Sequence, residues 1–346
     1  MRDVIRYQTA VALAALMMSW GGNVIAADFY EGKTIRIISA GNPGGGQDVS
    51  ARVIADHMGR HIPGAPKIIV QNMPGGNGIP VANQVFNVAK KDGTEIGQFH
   101  RDSVILAILG SPEAKFNPGG FGWLGSPTSY SDSAYAIVVR SALPYKGIVE
   151  MRQAKEPVSL GNSAGILVPL VKHALGANVK IVEGYKSNEV NLALERGEVD
   201  GLGRNYTNIV RQSPHWLSQN IARVVVQFGH ARRLPELPDV PTGRELAQTP
   251  EDQALVRFAE LPLTFGYAFG LPPGVPAERA ALLRKAFNDT MIDPQYIAAV
   301  EKMKLEHTPQ SGEELGEKIK DAAGISREVL ARYKSLAGEG GVSSAP

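Results

Sequence analysis

The residues most able to bind a ligand lie in two glycine-rich loops. The first reads Gly41-Asn42-Pro43-Gly44-Gly45-Gly46-Gln47-Asp48 and stands between a predicted strand and a predicted helix. Glycine lets main-chain N–H groups approach a ligand closely, and a helix start adds partial positive charge. The second loop, Pro74-Gly75-Gly76-Asn77-Gly78, follows the next strand. Together the loops predict one receptor for an anion such as a carboxylate or phosphate, although each alone could be a simple turn.

The first loop lacks the residues of a nucleotide site. Gly41 to Gly46 has the spacing of a P-loop, but Gln47 and Asp48 stand where Lys and Ser or Thr are required. The dinucleotide pattern fails as well, because Val49 occupies its third glycine position. An Asp at this place repels phosphate, which argues against a nucleotide site. Asp48 is interpreted either as a helix cap or as a contact to another ligand.

A third pattern suggests a different chemistry. Gly161-Asn162-Ser163-Ala164-Gly165 matches the G-x-S-x-G nucleophile elbow of serine hydrolases. The acids and bases that could complete the order Ser…Asp…His are Asp200, Asp239, His230 and His307. No HGGG-like oxyanion segment precedes Ser163. The favoured interpretation is that Asn162 and Ser163 hydrogen-bond an anion at a helix start, with a secreted hydrolase as the alternative.

Composition narrows the class of protein further. The 346 residues are 43% apolar and 20% charged, which fits a folded chain of two domains. The net charge of +2 is too small to favour nucleic acid. The absence of cysteine excludes disulfides, thiolate metal sites and cysteine nucleophiles. We expect no metal and no cofactor.

The amino end has the order of a secretory signal peptide. Arg2 and Arg6 precede an apolar run over 9–18, and small residues follow. We assign 1–27 to this signal, with cleavage after Ala26 or Ala27. The run is shorter than a membrane span needs, so we expect a periplasmic protein that is not embedded in the membrane.

Beyond the signal, short β-branched runs alternate with helical patterns. Strands are predicted at 34–38, 67–70, 94–98, 136–139, 158–160, 179–182, near 199 and at 223–228. One long helix is predicted at 313–336. The alternation indicates an α/β fold with parallel sheets, whose ligands bind beyond the carboxyl ends of the strands.

Several motifs occur together and in a characteristic order. They are Pro43 to Asp48 followed by Ala51-Arg52, Asn72 to Gly78, Asp92-Gly93-Thr94, Gly184-Tyr185-Lys186-Ser187, Gly197 to Asp200, Leu237 to Thr242 and Leu271 to Pro276. This set resembles the periplasmic solute receptors of tripartite tricarboxylate transporters, the Bug or TctC-like family.

The resemblance implies a type II-like bilobal binding protein, with two α/β domains joined by a hinge that the chain crosses twice. Lobe 1 would hold 33–135 and 264–346, and lobe 2 would hold 136–263. Such a receptor closes on a small organic carboxylate and docks transiently on membrane transporter subunits, without enzymatic activity. A sensory receptor with the same cleft is the alternative.

The resemblance also implies which residues bind the solute. In lobe 1 they are Pro43, Gly44, Gly45, Gly46 and Asp48, to which the loop pattern adds Gly75 and Gly76. In lobe 2 they are Asn162, Ser163 and Tyr185. Arg101 and Arg204 follow predicted strands and depart from the family pattern; each could bind a carboxylate with two hydrogen bonds or form a salt bridge instead.

Overall fold

The computed structural model describes residues 29–129, 134–163, 165–185 and 189–339. The predicted signal peptide at 1–27, Ala164 of the G-x-S-x-G pattern and the 186–187 part of the family motif lie outside the described residues. No helix in the described ranges combines the length and the apolar character that crossing a membrane requires.

The strands and helices alternate along the chain, as the sequence predicts. The strands are β1 Thr34–Ser39, β2 Lys67–Asn72, β3 Glu95–Gln98, β4 Gly122–Ser126, β5 Tyr135–Arg140, β6 Val158–Gly161, β7 Val179–Val182, β8 Gly201–Asn205, β9 Ala222–Phe228, β10 Phe269–Leu271 and β11 Gln310–Ser311. The helices are α1 Gly46–Met58, α2 Ile79–Asn87, α3 Arg101–Ile108, α4 Ile148–Met151, α5 Leu167–His173, α6 Glu189–Arg196, α7 Tyr206–Gln212, α8 His215–Ser218, α9 Gly243–Leu246, α10 Pro250–Phe265, α11 Ala277–Met291, α12 Pro294–Lys302, α13 Gly312–Ala323 and α14 Arg327–Glu339.

The chain divides into two compact units. Of the described residues, unit 1 contains 29–107, Pro112–Pro127 and Tyr267–Gly316. Unit 2 contains Ile108–Ser111, those described between Thr128 and Gly266, and 317–339.

Unit 1 is built on a six-stranded sheet in the order β11-β4-β10-β3-β1-β2. Strand β1 pairs in parallel with β2 and β3, and β10 runs antiparallel between β3 and β4. The β-branched residues Ile35 and Ile37 of β1 are fully buried and join a core that includes Leu283 and Phe287 of α11. The carboxyl ends of β1, β2 and β3 therefore meet at one edge, and the segment that leads into β10 reaches the same edge.

Unit 2 is built on a five-stranded sheet in the order β7-β6-β8-β5-β9. Strands β6, β7 and β8 are mutually parallel, and β5 runs antiparallel to β8 and β9. The core on one side contains the fully buried Val138, Leu202 and Trp216. The carboxyl ends of β6, β7 and β8 share one edge.

The expected α/β class is confirmed, and three details differ. Both sheets are mixed rather than parallel, because β-branched runs identify a strand but carry no information about its direction. The helix expected at 313–336 is two helices: α13 ends before Gly324, and α14 begins after Ser326, whose hydroxyl accepts a hydrogen bond from the Val329 amide at 3.3 Å. The strand expected near 199 begins at Gly201.

The carboxy-terminal helix packs in unit 2, whereas the predicted boundaries place 264–346 in the first lobe. Arg332 of α14 forms an ion pair with Asp252 of α10 at 2.7 Å, and the rings of Tyr333 and Phe258 pack edge to face at 4.9 Å between centroids. The chain thus passes between the units within α13, in addition to passages near 107, 111, 127 and 266.

Candidate functional site

The edge of the unit 1 sheet brings the two glycine-rich loops together. Asn72 is the last residue of β2 and pairs in register with Ser39 of β1. Its Nδ2 donates to the Gly41 carbonyl at 3.0 Å and to Asp48 Oδ1 at 2.8 Å. One side chain therefore links the end of β2 to both ends of the first loop.

The Asp48 carboxylate is only 2% exposed and is bound within this loop. It accepts hydrogen bonds from the Gly44 amide at 2.8 Å and from Arg52 Nε at 3.0 Å, besides that from Asn72. Burial by itself raises the pKa of Asp48, but the hydrogen bonds from Arg52, Gly44 and Asn72 outweigh it and hold the pKa below its ordinary value. Asp48 thus fixes the loop's shape, while direct contact with a ligand stays a prediction.

The start of α1 has no side-chain cap. Gly45 occupies the N-cap position with φ −75° and ψ 163°, and it has no side chain to accept from the helix. First-turn amides have no intrahelical acceptor. In the part of the chain that the structure describes, the amides of Gly46, Gln47 and Asp48 donate to no protein group. Three donors at the positive end of the helix dipole thus lack a protein acceptor, which is the arrangement that binds an anion at a helix start.

Only some of these glycines are required by the backbone; in the first loop Gly44, with φ +76°, is one of them. In the second loop Gly75 and Gly76 have φ of +104° and +52°, in the left-handed half of the backbone map that favours glycine. In the first loop Gly45 and Gly46 have no such φ, so their backbone does not require glycine. What they lack is a side chain: a Cβ atom on Gly46 would lie 3.3 Å from the Tyr267 hydroxyl. Of the remaining predicted residues in the first loop, Pro43 and Gly44 are exposed.

The end of β3 completes this edge of unit 1. Gln98 is fully buried; it accepts from the Ser39 hydroxyl at 2.5 Å and donates to the Gln47 carbonyl at 3.0 Å, which ties the start of α1 to the sheet. Arg101 begins α3 at the same edge, with its Nε 4.0 Å from Asp102 Oδ1. His100 lies beneath the second loop, since a Cβ atom on Gly78 would lie 2.6 Å from His100 Cβ. Burial lowers the pKa of His100.

Unit 2 brings several predicted residues to the carboxyl edge of its own sheet. Asn162 follows β6 and donates from Nδ2 to Glu183 Oε1 at 3.0 Å, just beyond the end of β7. Tyr185 follows β7, and a Cβ atom on Gly161 would lie 3.5 Å from its ring. Ser163 continues the loop after Asn162. Arg204 lies near the end of the parallel strand β8 and donates to Gln212 at 3.1 Å; burial lowers the pKa of its guanidinium.

The structure places three of the four acids and bases that the sequence offers as partners of Ser163 in a serine hydrolase. Asp200 accepts from the amide and hydroxyl of Ser159 at 2.9 and 2.7 Å, and Ser159 precedes Ser163 by four residues, about 13 Å of extended chain. His307 belongs to unit 1. His230 lines a cavity of about 810 Å³ in unit 2, beside Arg244 and Glu260, and none of the predicted site residues lines that cavity. Among the described residues, no cluster of three or more His, Asp or Glu side chains could hold a metal ion.

Comparison with known proteins decides the fold family. No protein-family model matches the sequence. A UPF0065 protein of Bordetella bronchiseptica is 24% identical over 333 residues, covering 94% of this chain and 90% of that protein. The UPF0065 protein of the gbd 5′ region of Cupriavidus necator is 25% identical over 312 residues, covering 88% of each chain. A TctC solute-binding protein from Polaromonas, solved without ligand, superimposes with a TM-score of 0.66 at 19% identity, covering 90% of this chain and 99% of that one. The chain has the TctC fold. The resemblance predicted from the motifs is confirmed.

The sequence motifs do not show the long-range contacts that shape this edge of the unit 1 sheet. Asn72 belongs to the second-loop motif, but its bond to Asp48 depends on the pairing of β1 with β2. Gln98, His100 and Tyr267 have no local signature, because their roles arise from contacts with residues 22–221 positions away. Only the β-branched run before Gln98 indicates that the chain reaches this edge.

Proposed function

We propose that this protein is a periplasmic solute receptor that captures a small organic carboxylate at the start of α1 and delivers it to a tripartite tricarboxylate-type transporter. The observation that carries the proposal is the uncapped first turn, with the amides of Gly46, Gln47 and Asp48 unsatisfied by protein. A carboxylate is preferred over phosphate. The first loop has no lysine to balance a dianion, and the buried Asp48 carboxylate lies in the same turn.

The hydrogen bonds from the three α1 amides alone supply too little free energy for micromolar binding. A hydrogen bond to a charged acceptor contributes about 1.5–3 kcal/mol, so three amides supply about 5–9 kcal/mol. Association opposes this with about 4–15 kcal/mol of lost freedom, whereas micromolar affinity requires a net of about 8 kcal/mol. We therefore propose Asn162, Ser163, Tyr185 and Arg204 of unit 2 as a second set of solute-binding groups. Alanine variants at these positions should weaken binding.

A thermal-shift screen of organic acids tests the proposal. A solute that binds only the folded protein stabilises it by about 2.7 kcal/mol at a hundred times its Kd, and the shift grows with concentration. We expect mono- or dicarboxylates to raise Tm. Stabilisation by sugars, nucleotides or cations alone would show that the carboxylate assignment is wrong. A fluorophosphonate probe run in parallel should leave Ser163 unlabelled; labelling there would favour a hydrolase.

The location and the transporter are tested separately from binding. We expect the mature protein in the periplasmic fraction, with an amino terminus directly after Ala26 or Ala27. Deleting the gene should abolish uptake of the stabilising acid. If uptake continues while transcription responds differently to the acid, the same site serves a sensory receptor instead.

A further inference from the structure

The side chain of Tyr267 ends at the start of α1. Gly46 is the first residue of that helix, and a Cβ atom on it would lie 3.3 Å from the Tyr267 hydroxyl oxygen. Both residues belong to unit 1. The hydroxyl therefore lies beside the turn whose amides have no protein acceptor, although 221 positions separate the two residues in sequence.

The sheet fixes the position of Tyr267. Strand β10 pairs antiparallel with β3 so that Phe269 faces Gln98, and the Phe99 amide donates to the Ala268 carbonyl at 2.8 Å. Tyr267 is the next residue beyond this bond, at the edge where the glycine-rich loops lie. Gly266, directly before it, has φ +52° and ψ −133°, a backbone conformation that glycine adopts readily and other residues adopt rarely. The main chain on both sides thus directs the phenol towards α1.

The chemistry of a phenol suits a carboxylate held at this place. A carboxylate has two oxygens with about four acceptor positions, and the α1 amides cannot occupy all of them. A tyrosine hydroxyl adds a donor without adding a formal charge. We infer that Tyr267 is a solute-binding residue that donates a hydrogen bond to the same carboxylate as the amides of α1. This inference rests on the proposed function, and it adds that the bound group is a carboxylate recognised largely by neutral donors.

The experiment uses the full mature protein and the acid that gives the largest thermal shift in the screen. Tyr267→Phe should raise its Kd about 10- to 100-fold, the effect of losing one hydrogen bond to a charged acceptor. Tyr296→Phe is the matched control: Tyr296 is buried in the unit 1 core, so losing its hydroxyl should leave Kd unchanged.

A second series separates hydrogen bonding from packing. Fluorinated tyrosines at position 267 have a more acidic hydroxyl of nearly the same size, and a stronger donor should bind the acid more tightly. We expect Kd to fall from Phe to Tyr to fluorotyrosine, measured at a pH where each hydroxyl is protonated. If the natural protein binds an acid and the Phe and fluoro variants bind it equally well, the inference about Tyr267 is wrong while the proposed function stands. If the natural protein binds no acid, the proposed function itself fails.

Discussion

Gly45→Asp should make the free protein more stable and abolish solute binding. Gly45 has φ −75° and ψ 163°, the extended conformation in which Asp, Asn and Ser cap helices, so Asp fits without backbone strain. A Cβ atom there meets only the Asn42 carbonyl, at 3.1 Å, besides the ordinary contact with Asn42 Cβ at 4.0 Å. The new carboxylate would accept from the amides of Gln47 and Asp48, which the solute is proposed to use.

The two effects have opposite signs and different sizes. Replacing glycine with a good cap gains a few tenths of a kcal/mol, and a negative charge at the helix start adds about 0.3–1 kcal/mol. The free protein should therefore gain about 1 kcal/mol, or about 2–4 °C in Tm. The solute loses at least two charge-assisted hydrogen bonds, about 3–6 kcal/mol, which weakens binding more than about 100-fold. The pairing of Asp48 with Arg52 at 2.9 Å limits repulsion between the two carboxylates.

Calorimetric melting without solute and titration calorimetry with the acid measure the two effects on one preparation. Gly45→Ala is the control, since it adds the same Cβ atom without an acceptor and should retain binding. Normal affinity in the Gly45→Asp variant would refute the assignment of the α1 amides as the receptor. An equal loss in Gly45→Ala would mean that space, rather than capping, governs the site.

Three further substitutions test the surrounding structure. Asp48→Asn should make the loss of folding stability on acidification smaller. The folded-state pKa of Asp48 lies below its ordinary value, so the carboxylate contributes its full stabilisation above the unfolded-state pKa of about 3.9. This stabilisation is lost as the pH falls through the folded-state pKa. Denaturant unfolding from neutral to acid pH measures this, and an unchanged profile would contradict it. Glu260→Ala removes the fully buried partner of the Arg244 guanidinium and should lower the stability of the protein by about 3–5 kcal/mol. Glu198→Ala, in an exposed ion pair, should lower it by at most about 1 kcal/mol. Equal losses for the two variants in urea unfolding would disprove this contrast. In Gly75→Ala the new Cβ atom has no neighbour within 4 Å, but alanine must adopt φ +104°. This backbone strain of about 1–3 kcal/mol should lower Tm while the Kd for the acid is retained. A raised Kd would show that the second loop contacts the solute.

The sequence contained enough to predict most of the strands and to single out the first glycine-rich loop as a candidate site. Runs such as 34–38 and 179–182 are β-branched, and the structure forms strands over these residues. The first loop is recognisable because a receptor made of main-chain amides requires residues without side chains, and glycine is visible in any sequence. The motif order extended these local signals to a fold family.

The rest depends on which segments meet in the folded chain. The direction of β10 decides that Tyr267 reaches the start of α1, and nothing within the local sequence specifies that direction. The bond from Asn72 to Asp48 likewise requires β2 to lie beside β1 in one register. The break between α13 and α14 has a local cause in Gly324, yet the apolar spacing continues across it and favours a single helix.

The backbone conformations of Gly75 and Gly76 differ from those of Gly45 and Gly46, and this difference indicates which loop binds the solute. Gly75 and Gly76 are explained by their positive φ, so a turn accounts for them without a ligand. Gly45 and Gly46 have backbones that any residue adopts, and a capping residue at position 45 or alanine at position 46 would stabilise the free helix start. Glycine there lowers the stability of the free protein and leaves the first-turn amides open. An arrangement that is unfavourable without a partner is expected where a partner binds, which is why the first loop, rather than the second, is the place to look for the solute's charge.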